Sequence, residues 1–347
     1  MRYHVYGIGA ALVDTEIEVE DADLTRLGIS KGHMTLVDAQ RQQELLNYLA
    51  SHLLLSKRTS GGSGANSIIA ASHFGARTFY SCKVANDDNG RFYLKDMKEA
   101  GVDCNAQDKH IDVCTCSGLC TCMDVTGKCL VLITPDAERS MLTHLGISET
   151  IANAALDMDA AKNAQFVYIE GYLVTSKTGR AAAIALYSHA KKHGVNTAIS
   201  LSDPSMVEFF GEGLREMIGD GVDLLFCNEY EAQKFTGTNN IDAAAQALKA
   251  YAKTFAITCG ARGARVYDGQ NTHHIAPYVV AAIDSNGAGD MFAGAFLYAI
   301  THGYSYADAG RLASRASAEV VKNYGPRLPA EKHRELLQEV FSSAVSV

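Results

Sequence analysis

The sequence predicts a three-layer α/β/α fold with a mostly parallel central sheet and a small β-sheet lid. Three observations carry that expectation. Beyond residue 144, apolar runs of strand length alternate with helical runs, and strands recur about every 30 residues, the spacing of right-handed βαβ units. Two glycine-rich stretches, Ser60-Gly61-Gly62-Ser63-Gly64 and Asn286-Gly287-Ala288-Gly289, each lead straight into a helical run. Between 104 and 144 the pattern changes to short alternating strands, with turns at Ser117-Gly118, Thr126-Gly127 and Pro135-Asp136. The chain reads as one large domain over 1–347, its lid drawn from about 11–38 and 104–144.

Tyr3–Ile8 is the first buried strand. Gly7-Ile8-Gly9 imitates a dinucleotide fingerprint, but Leu12 holds the third glycine position and residues 13–19 alternate as a strand instead of opening a helix. A nicotinamide dehydrogenase is therefore disfavoured. Asp14 falls just past the end of that strand, where parallel sheets present ligand contacts; an ordinary turn acid is the competing reading. A short strand at 34–37 precedes a helix at 39–54 that gathers Leu45, Leu46, Leu49 and Leu53 on one side. The loop at 60–64 carries no charge, so it suits a neutral polyol better than a phosphate. Asn66, in the first turn of the following helix, either holds a hydroxyl or helps cap the helix.

A strand at 78–84 and a helix over Asp88–Glu99 follow, the helix stopped by Gly101. Later strands are expected at 166–170, 197–201, 224–227 and 255–258. Asn228-Glu229-Tyr230-Glu231 directly follows the third of these. Such a set can order Mg²⁺ through water, or cap a helix and complement its dipole. Thr258, Gly260 and Gly263 mark a turn against which a nucleotide can lie. Two further helices close the chain, separated by Lys322-Asn323-Tyr324-Gly325-Pro326-Arg327.

Composition narrows the partners. With 47% hydrophobic and 20% charged residues, the 347-residue chain is globular in character. Its net charge of −8 and lack of a basic tract argue against nucleic acid or an anionic membrane as partner. The N-terminal apolar run is short and lacks a small-x-small cleavage pattern, and no run approaches the ~18 residues of a membrane span. A cytoplasmic protein is expected. The nine cysteines, an odd number, point to reduced thiols. Cys114, Cys116, Cys120 and Cys122 cluster as C-x-C pairs near Cys129, a spacing that places side chains on one strand face rather than around zinc.

The segment 283–300 organises the rest. An apolar run ending at Ile283 is read as a strand, and Gly287-Ala288-Gly289-Asp290 leads from it into a helix. Glycines admit a ligand to the backbone, and the first helical turn offers unpaired N–H groups and the positive end of the dipole. An acid at Asp290, beside such an anion site, is a candidate base for a hydroxyl attacking a phosphoryl group. Otherwise it is a helix cap. No G-x4-G-K-[ST] motif is present, which argues against a P-loop kinase.

Together these motifs resemble the PfkB (ribokinase-like) carbohydrate kinase family over essentially the whole chain. The first family signature looks like Gly61-Gly62-Ser63-Gly64-Ala65-Asn66 through Gly75 to Gly90, and the second like 284–290. Asn228 and Glu231 match its N-x-x-E motif; Thr258, Gly260 and Gly263 match its T-x-G-x-x-G turn. The N-terminal Gly7-Ile8-Gly9 with Asp14, and residues 133–139, look most like the adenosine kinase-like branch, although Ala10 stands where that branch commonly carries asparagine.

The resemblance implies an ATP-dependent kinase with Mg²⁺, Asp290 as base, and backbone N–H groups of Gly287, Ala288 and Gly289 on the transferring phosphoryl. It implies that Asp14, Gly62 and Asn66 hold ribose hydroxyls and that Leu12 and Tyr172 flank a base. Arg139, in the lid and on the substrate side, either swings over a phosphate or is an ordinary solvated arginine. Asn228, Thr258, Gly260, Gly263 and Asn323 would form the ATP side, with Asn228 and Glu231 on Mg²⁺ through water. Asp284 and Ser285 form a candidate site for a monovalent cation such as K⁺. Adenosine is the expected acceptor; a sugar kinase of fructokinase or ribokinase type, and a non-catalytic nucleoside or sugar sensor, are the alternatives. The protein is expected as a monomer or homodimer.

Overall fold

The computed structural model describes residues 2–50, 57–105, 125–136 and 138–342. Its larger sheet is built around β1 (Tyr3–Ile8), flanked on one side by β5 (Thr78–Ser81) and β6 (Val102–Cys104). On the other side lie β9 (Ala164–Ile169), β10 (Asn196–Ser200), β11 (Val222–Asn228) and β12 (Ala252–Thr258). All seven of these run parallel. The antiparallel hairpin β13 (Ala264–Tyr267) and β14 (Thr272–Ile275) completes the edge. Near-continuous apolar sequence in the central strands is what burial on both faces demands.

Helices cover both faces. On one side β-strand residues such as Tyr80, Phe166 and Phe226 pack under α3 (Ser63–Phe74), α4 (Asp88–Glu99), α10 (Ala288–Thr301), α11 (Tyr306–Val320) and α12 (Ala330–Ser342). On the other, Ile8, Val167, Ile199 and Leu225 pack under α5 (Met158–Lys162), α6 (Lys177–His193), α7 (Pro204–Ile218), α8 (Glu229–Thr236) and α9 (Ile241–Leu248). Val5 against Tyr6 and Ile8, and Phe166 and Tyr168 against Val167 and Ile169, alternate between these two cores with the period-2 geometry of a strand.

A second sheet of five strands stands beside the first, in the order β3-β8-β7-β2-β4. Its strands are β2 (Leu12–Glu18), β3 (Met34–Leu36), β4 (Lys57–Gly61), β7 (Gly127–Ile133) and β8 (Arg139–His144). One face, with Ile17, Leu130, Leu132 and Leu142, is covered by α1 (Asp21–Leu27) and α2 (Ala39–Tyr48). The opposite face, with Cys129, Val131, Ile133 and Met141, turns towards the mouth of the larger sheet. β4 pairs antiparallel with β2, so Ser60 and Gly61, read from sequence as loop, are the end of a strand of this sheet.

Two expectations change. No strand precedes the Gly287 turn: residues 276–287 lack sheet pairing, and Val279 is 94% exposed because β14 already forms the sheet edge. The segment is anchored instead by the Ile283 and Asp284 N–H groups donating to Val321 O at 2.7 and 3.1 Å. The cysteine cluster at 114–122 lies outside the described residues, whereas Cys129 is a buried thiol of β7.

Candidate active site

A cavity of about 380 Å³ opens at the C-terminal ends of the parallel strands, between the two sheets. Glu170, Asn228 and Thr258 reach it from the C-terminal ends of β9, β11 and β12, as expected for an open parallel sheet, and Asp14 from β2 of the small sheet. Gly287, Gly289 and Asp290 line it from the start of α10, and Gly62, Ser63 and Asn66 from the start of α3.

At α10 the cap is Gly287, held at φ 73° in the left-handed region. A Cβ there would also lie 2.4 Å from Pro326 Cα, so both backbone shape and space require glycine. Met291 N–H closes the first helical bond to Gly287 O at 2.8 Å, while Ala288 N–H turns to Ser285 O at 3.4 Å. Among the described residues no backbone carbonyl accepts from Gly289 or Asp290 N–H. Those two donors, with Gly287 beside them, form a candidate anion pocket. Ala288, expected to share in it, does not line the cavity.

Asp290 is half-buried and fully engaged on one edge. Ser63 Oγ donates to its Oδ1 at 2.6 Å and Asn66 Nδ2 donates to its Oδ2 at 3.1 Å. Burial raises its pKa, opposed by those two hydrogen bonds and by the positive charge of Arg327. It does not cap the helix: α10 has no side-chain cap, and the carboxylate faces the cavity with two neutral donors on it.

Asp14 is 6% exposed. Gly61 makes room for it, since a Cβ there would lie 2.0 Å from its carboxylate. Among the described residues none donates it a hydrogen bond, leaving its oxygens to the cavity. Burial pushes it up to about 7, with Glu16 and Asp290 adding and Arg327 opposing.

Glu170, whose sequence position was read only as the end of a strand, is the third carboxylate. It sits where Cβ atoms at Gly9 and Gly64 would collide with it, at 1.8 and 2.9 Å, and accepts from Ala10 N–H at 2.9 Å. Burial raises it to about 8. An acid at the C-terminal end of a predicted central strand was the signal available for it. Leu12 and Tyr172 line the same cavity, with Met141 and Leu145 extending the apolar wall.

Arg139 borders the cavity, and its guanidinium is held among buried carboxylates instead of being solvated. It is 5% exposed and lies between Glu16, at 3.7 Å, and Asp284, with which it forms a close ion pair. That placement also bears on the cation site expected at Asp284 and Ser285. Asp284 is fully buried and accepts from Asn286 N–H at 2.9 Å and Gly325 N–H at 2.6 Å besides pairing with Arg139. Its charge is met within the protein; Ser285 alone lines the cavity.

On the remaining side Asn228 and Glu231 form a capping box for α8: Asn228 Oδ1 accepts from Glu231 N–H at 2.8 Å, and the carboxylate accepts Asn228 N–H at 2.9 Å and Nδ2 at 2.6 Å. Both line the cavity, and burial raises Glu231 to about 7 with Asp203 adding. A buried carboxylate with neutral donors and, among the described residues, no cation on it could hold a hydrated Mg²⁺ at second hand. Thr258 lines the cavity; Gly260 and Gly263, at φ 55° and 87°, shape the β12–β13 turn outside it. Asn323 is exposed and donates to Glu319 O at 3.0 Å, capping α11 away from the cavity.

Comparison with known proteins identifies the family and the fold. The sequence matches the family described as pfkB family carbohydrate kinase over residues 32–333. The chain belongs to that family. Adenosine kinase from Saccharomyces cerevisiae is 27% identical over 94% of this chain and 96% of its own length. Ribokinase from Staphylococcus aureus is 30% identical over 82% of this chain and 88% of its own. Among solved structures, adenosine kinase from Sinorhizobium meliloti is 30% identical with a TM-score of 0.86, covering 96% of this chain and 99% of that one. A probable sugar kinase from Rhizobium etli is 28% identical with a TM-score of 0.88, covering 97% and 98%. This pfkB-family protein is thus a sugar or nucleoside kinase with a ribokinase-like fold, and kinases of the family use ATP, generally with Mg²⁺. No helix among the described residues is long and apolar enough to cross a membrane.

Proposed function

We propose that this kinase transfers the γ-phosphoryl group of ATP to the 5′-hydroxyl of adenosine. The observation that carries the reading is Asp290, hydrogen-bonded by Ser63 and Asn66, standing between the free N–H groups of α10 and a pocket lined by Asp14, Glu170 and an apolar wall. Asp14 and Glu170 suit vicinal hydroxyls, and Leu12, Tyr172, Met141 and Leu145 suit a planar base above them. Asp290 accepts the hydroxyl proton as the oxygen attacks, a role worth roughly 10²–10⁴ in rate. Gly287, Gly289 and Asp290 N–H groups stabilise charge on the transferring oxygens, and the loose transition state makes positioning the larger contribution. Asn228 and Glu231 would hold Mg²⁺ through water; when bound with ATP it neutralises phosphate charge. The small sheet excludes water, the competing acceptor.

The ribokinase relatives and the Glu170 carboxylate favour a second reading, in which the acceptor is a free pentose. Initial rates with adenosine, other nucleosides, ribose and fructose decide between them: adenosine is expected to give the highest kcat/KM, and a higher value for a free sugar reverses the assignment. Asp290→Asn is expected to retain the fold and ATP-analogue binding while losing about a thousandfold in kcat. Near-normal turnover in that variant would remove Asp290 as base.

A further inference from the structure

The loop between α11 and α12 is pressed against the anion pocket at three successive residues. Gly325 N–H donates to Asp284 at 2.6 Å, and Pro326 packs on Gly287 so closely that a Cβ there has no space. Arg327 then spends its whole fork on the acceptor side: Nε donates to Asn66 Oδ1 at 3.0 Å, Nη1 to Asp96 Oδ2 at 2.7 Å and Nη2 to Ser60 Oγ at 3.0 Å. Ser60 also donates to Asp96.

The first of these bonds has a directional consequence. A guanidinium only donates, so Asn66 must present its carbonyl oxygen to Arg327 and its NH₂ to the other side. On that other side lies Asp290 Oδ2, 3.1 Å from Asn66 Nδ2. With the amide reversed, a carbonyl would face the carboxylate and repel it. We propose that Arg327 is a positioning residue for phosphoryl transfer, fixing the orientation of Asn66 and through it the direction and ionised state of Asp290. This rests on the reading of Asp290 as base.

The charges around Asp290 agree. Asp14 faces it from β2 and Glu170 from the end of β9, with the Tyr168 and Tyr172 hydroxyl groups nearby. Arg139 acts on Asp14, and Arg327 is the cation that lowers both Asp14 and Asp290. Arg327 is itself faced by Asp96 of α4 and His73 of α3. Replacing Arg327 with a neutral residue leaves three carboxylates in one cavity without it, so Asp290 loses its proton only at higher pH.

The experiment is the pH profile of kcat for Arg327→Met and Arg327→Lys, with ATP and either adenosine or ribose, from about pH 5 to about pH 9. Arg327→Met is expected to lose roughly tenfold to hundredfold in kcat at neutral pH with KM for ATP unchanged, and its acid limb to move up by about one unit. Arg327→Lys keeps the charge but cannot fork, so its acid limb stays near wild type while kcat falls. In the Asn66→Ala background either substitution is expected to cost little more, because the relay is already broken. An unmoved acid limb in Arg327→Met, or losses that add fully to those of Asn66→Ala, would overturn the proposal. Should Arg327→Met fail to fold by circular dichroism, wild-type kcat in Arg327→Lys overturns it equally. Asp290→Asn in the same assay separates the two levels: an active Asp290→Asn removes the base and the relay together, whereas an inactive one with normal Arg327 variants removes the relay alone.

Discussion

The two helices that open on glycine, α3 and α10, differ in what their glycines face. At α3, Gly62 stands at φ 93° with Ala10 O only 2.4 Å from where a Cβ would be, and Gly64 admits the Glu170 carboxylate. At both of these glycines the space a Cβ would take is filled by protein. At α10, Gly287 is similarly jammed against Pro326, but a Cβ at Gly289 would meet nothing within 4 Å. The second loop therefore keeps an unfilled space directly over unpaired N–H groups. The two helices also cross closely, since a Cβ at Gly294 would lie 2.3 Å from Ser67 O, so the filled loop fixes the position of the empty one. In the proposed reaction one junction supplies neutral donors and geometry, and the other the base and the room for a phosphoryl group.

Three substitutions sharpen that contrast. Gly287→Ala forces a left-handed β-carbon into Pro326 and should have the largest effect, costing about 2 kcal/mol or more of stability and at least tenfold in kcat. Thermal unfolding with single-turnover rates would show it, and a fully active, stable variant would mean the loop tolerates displacement. Gly289→Ala should leave the melting temperature unchanged while lowering kcat/KM for ATP by about tenfold, because its methyl group enters the space meant for the ligand. Equal loss of stability in both variants would erase the distinction between filled and empty loops.

The smallest effect concerns Glu170. Its pKa rises from 4.5 to about 8 on burial, so the native state binds more protons than the unfolded chain between those values. Its contribution is thus most favourable below about 4.5 and is lost as pH rises through about 8. Urea midpoints should fall across that window, and Glu170→Gln should flatten the decline. A slope unchanged by the substitution would show that the carboxylate is ionised without penalty.

Much of this arrangement is legible in the chain itself. Strand–helix alternation reports the parallel sheet because each central strand must be apolar on both faces, and Asp88–Glu99 is bounded by Asp87, which caps it, and by Gly101. The Asp290 turn is legible because glycine and acid occupy fixed places in it. Glu170 and Arg327 were harder to read: each acts across more than a hundred residues of sequence, on Ala10 and Asn66 respectively, and local pattern carries no trace of such pairings. Arg139 illustrates the converse. An arginine in a polar loop region suggests a phosphate ligand, but buried carboxylates at Glu16 and Asp284 claim it first. Likewise 57–61, rich in small and polar residues, pairs as a strand only because β2 offers it an edge.

Only Gly9, Ala10 and Ala11 separate β1 of the large sheet from β2 of the small one. Asp14 rides on the second and Asp290 on α10 beside the first, so the separation of the two carboxylates depends on how the two sheets are held together. The chain crosses between them again at Gly62, from β4 into α3, and after β8 on the way to β9, so these crossings share in fixing that separation. In the proposed reaction, the same crossings would set how far a hydroxyl held by Asp14 stands from Asp290.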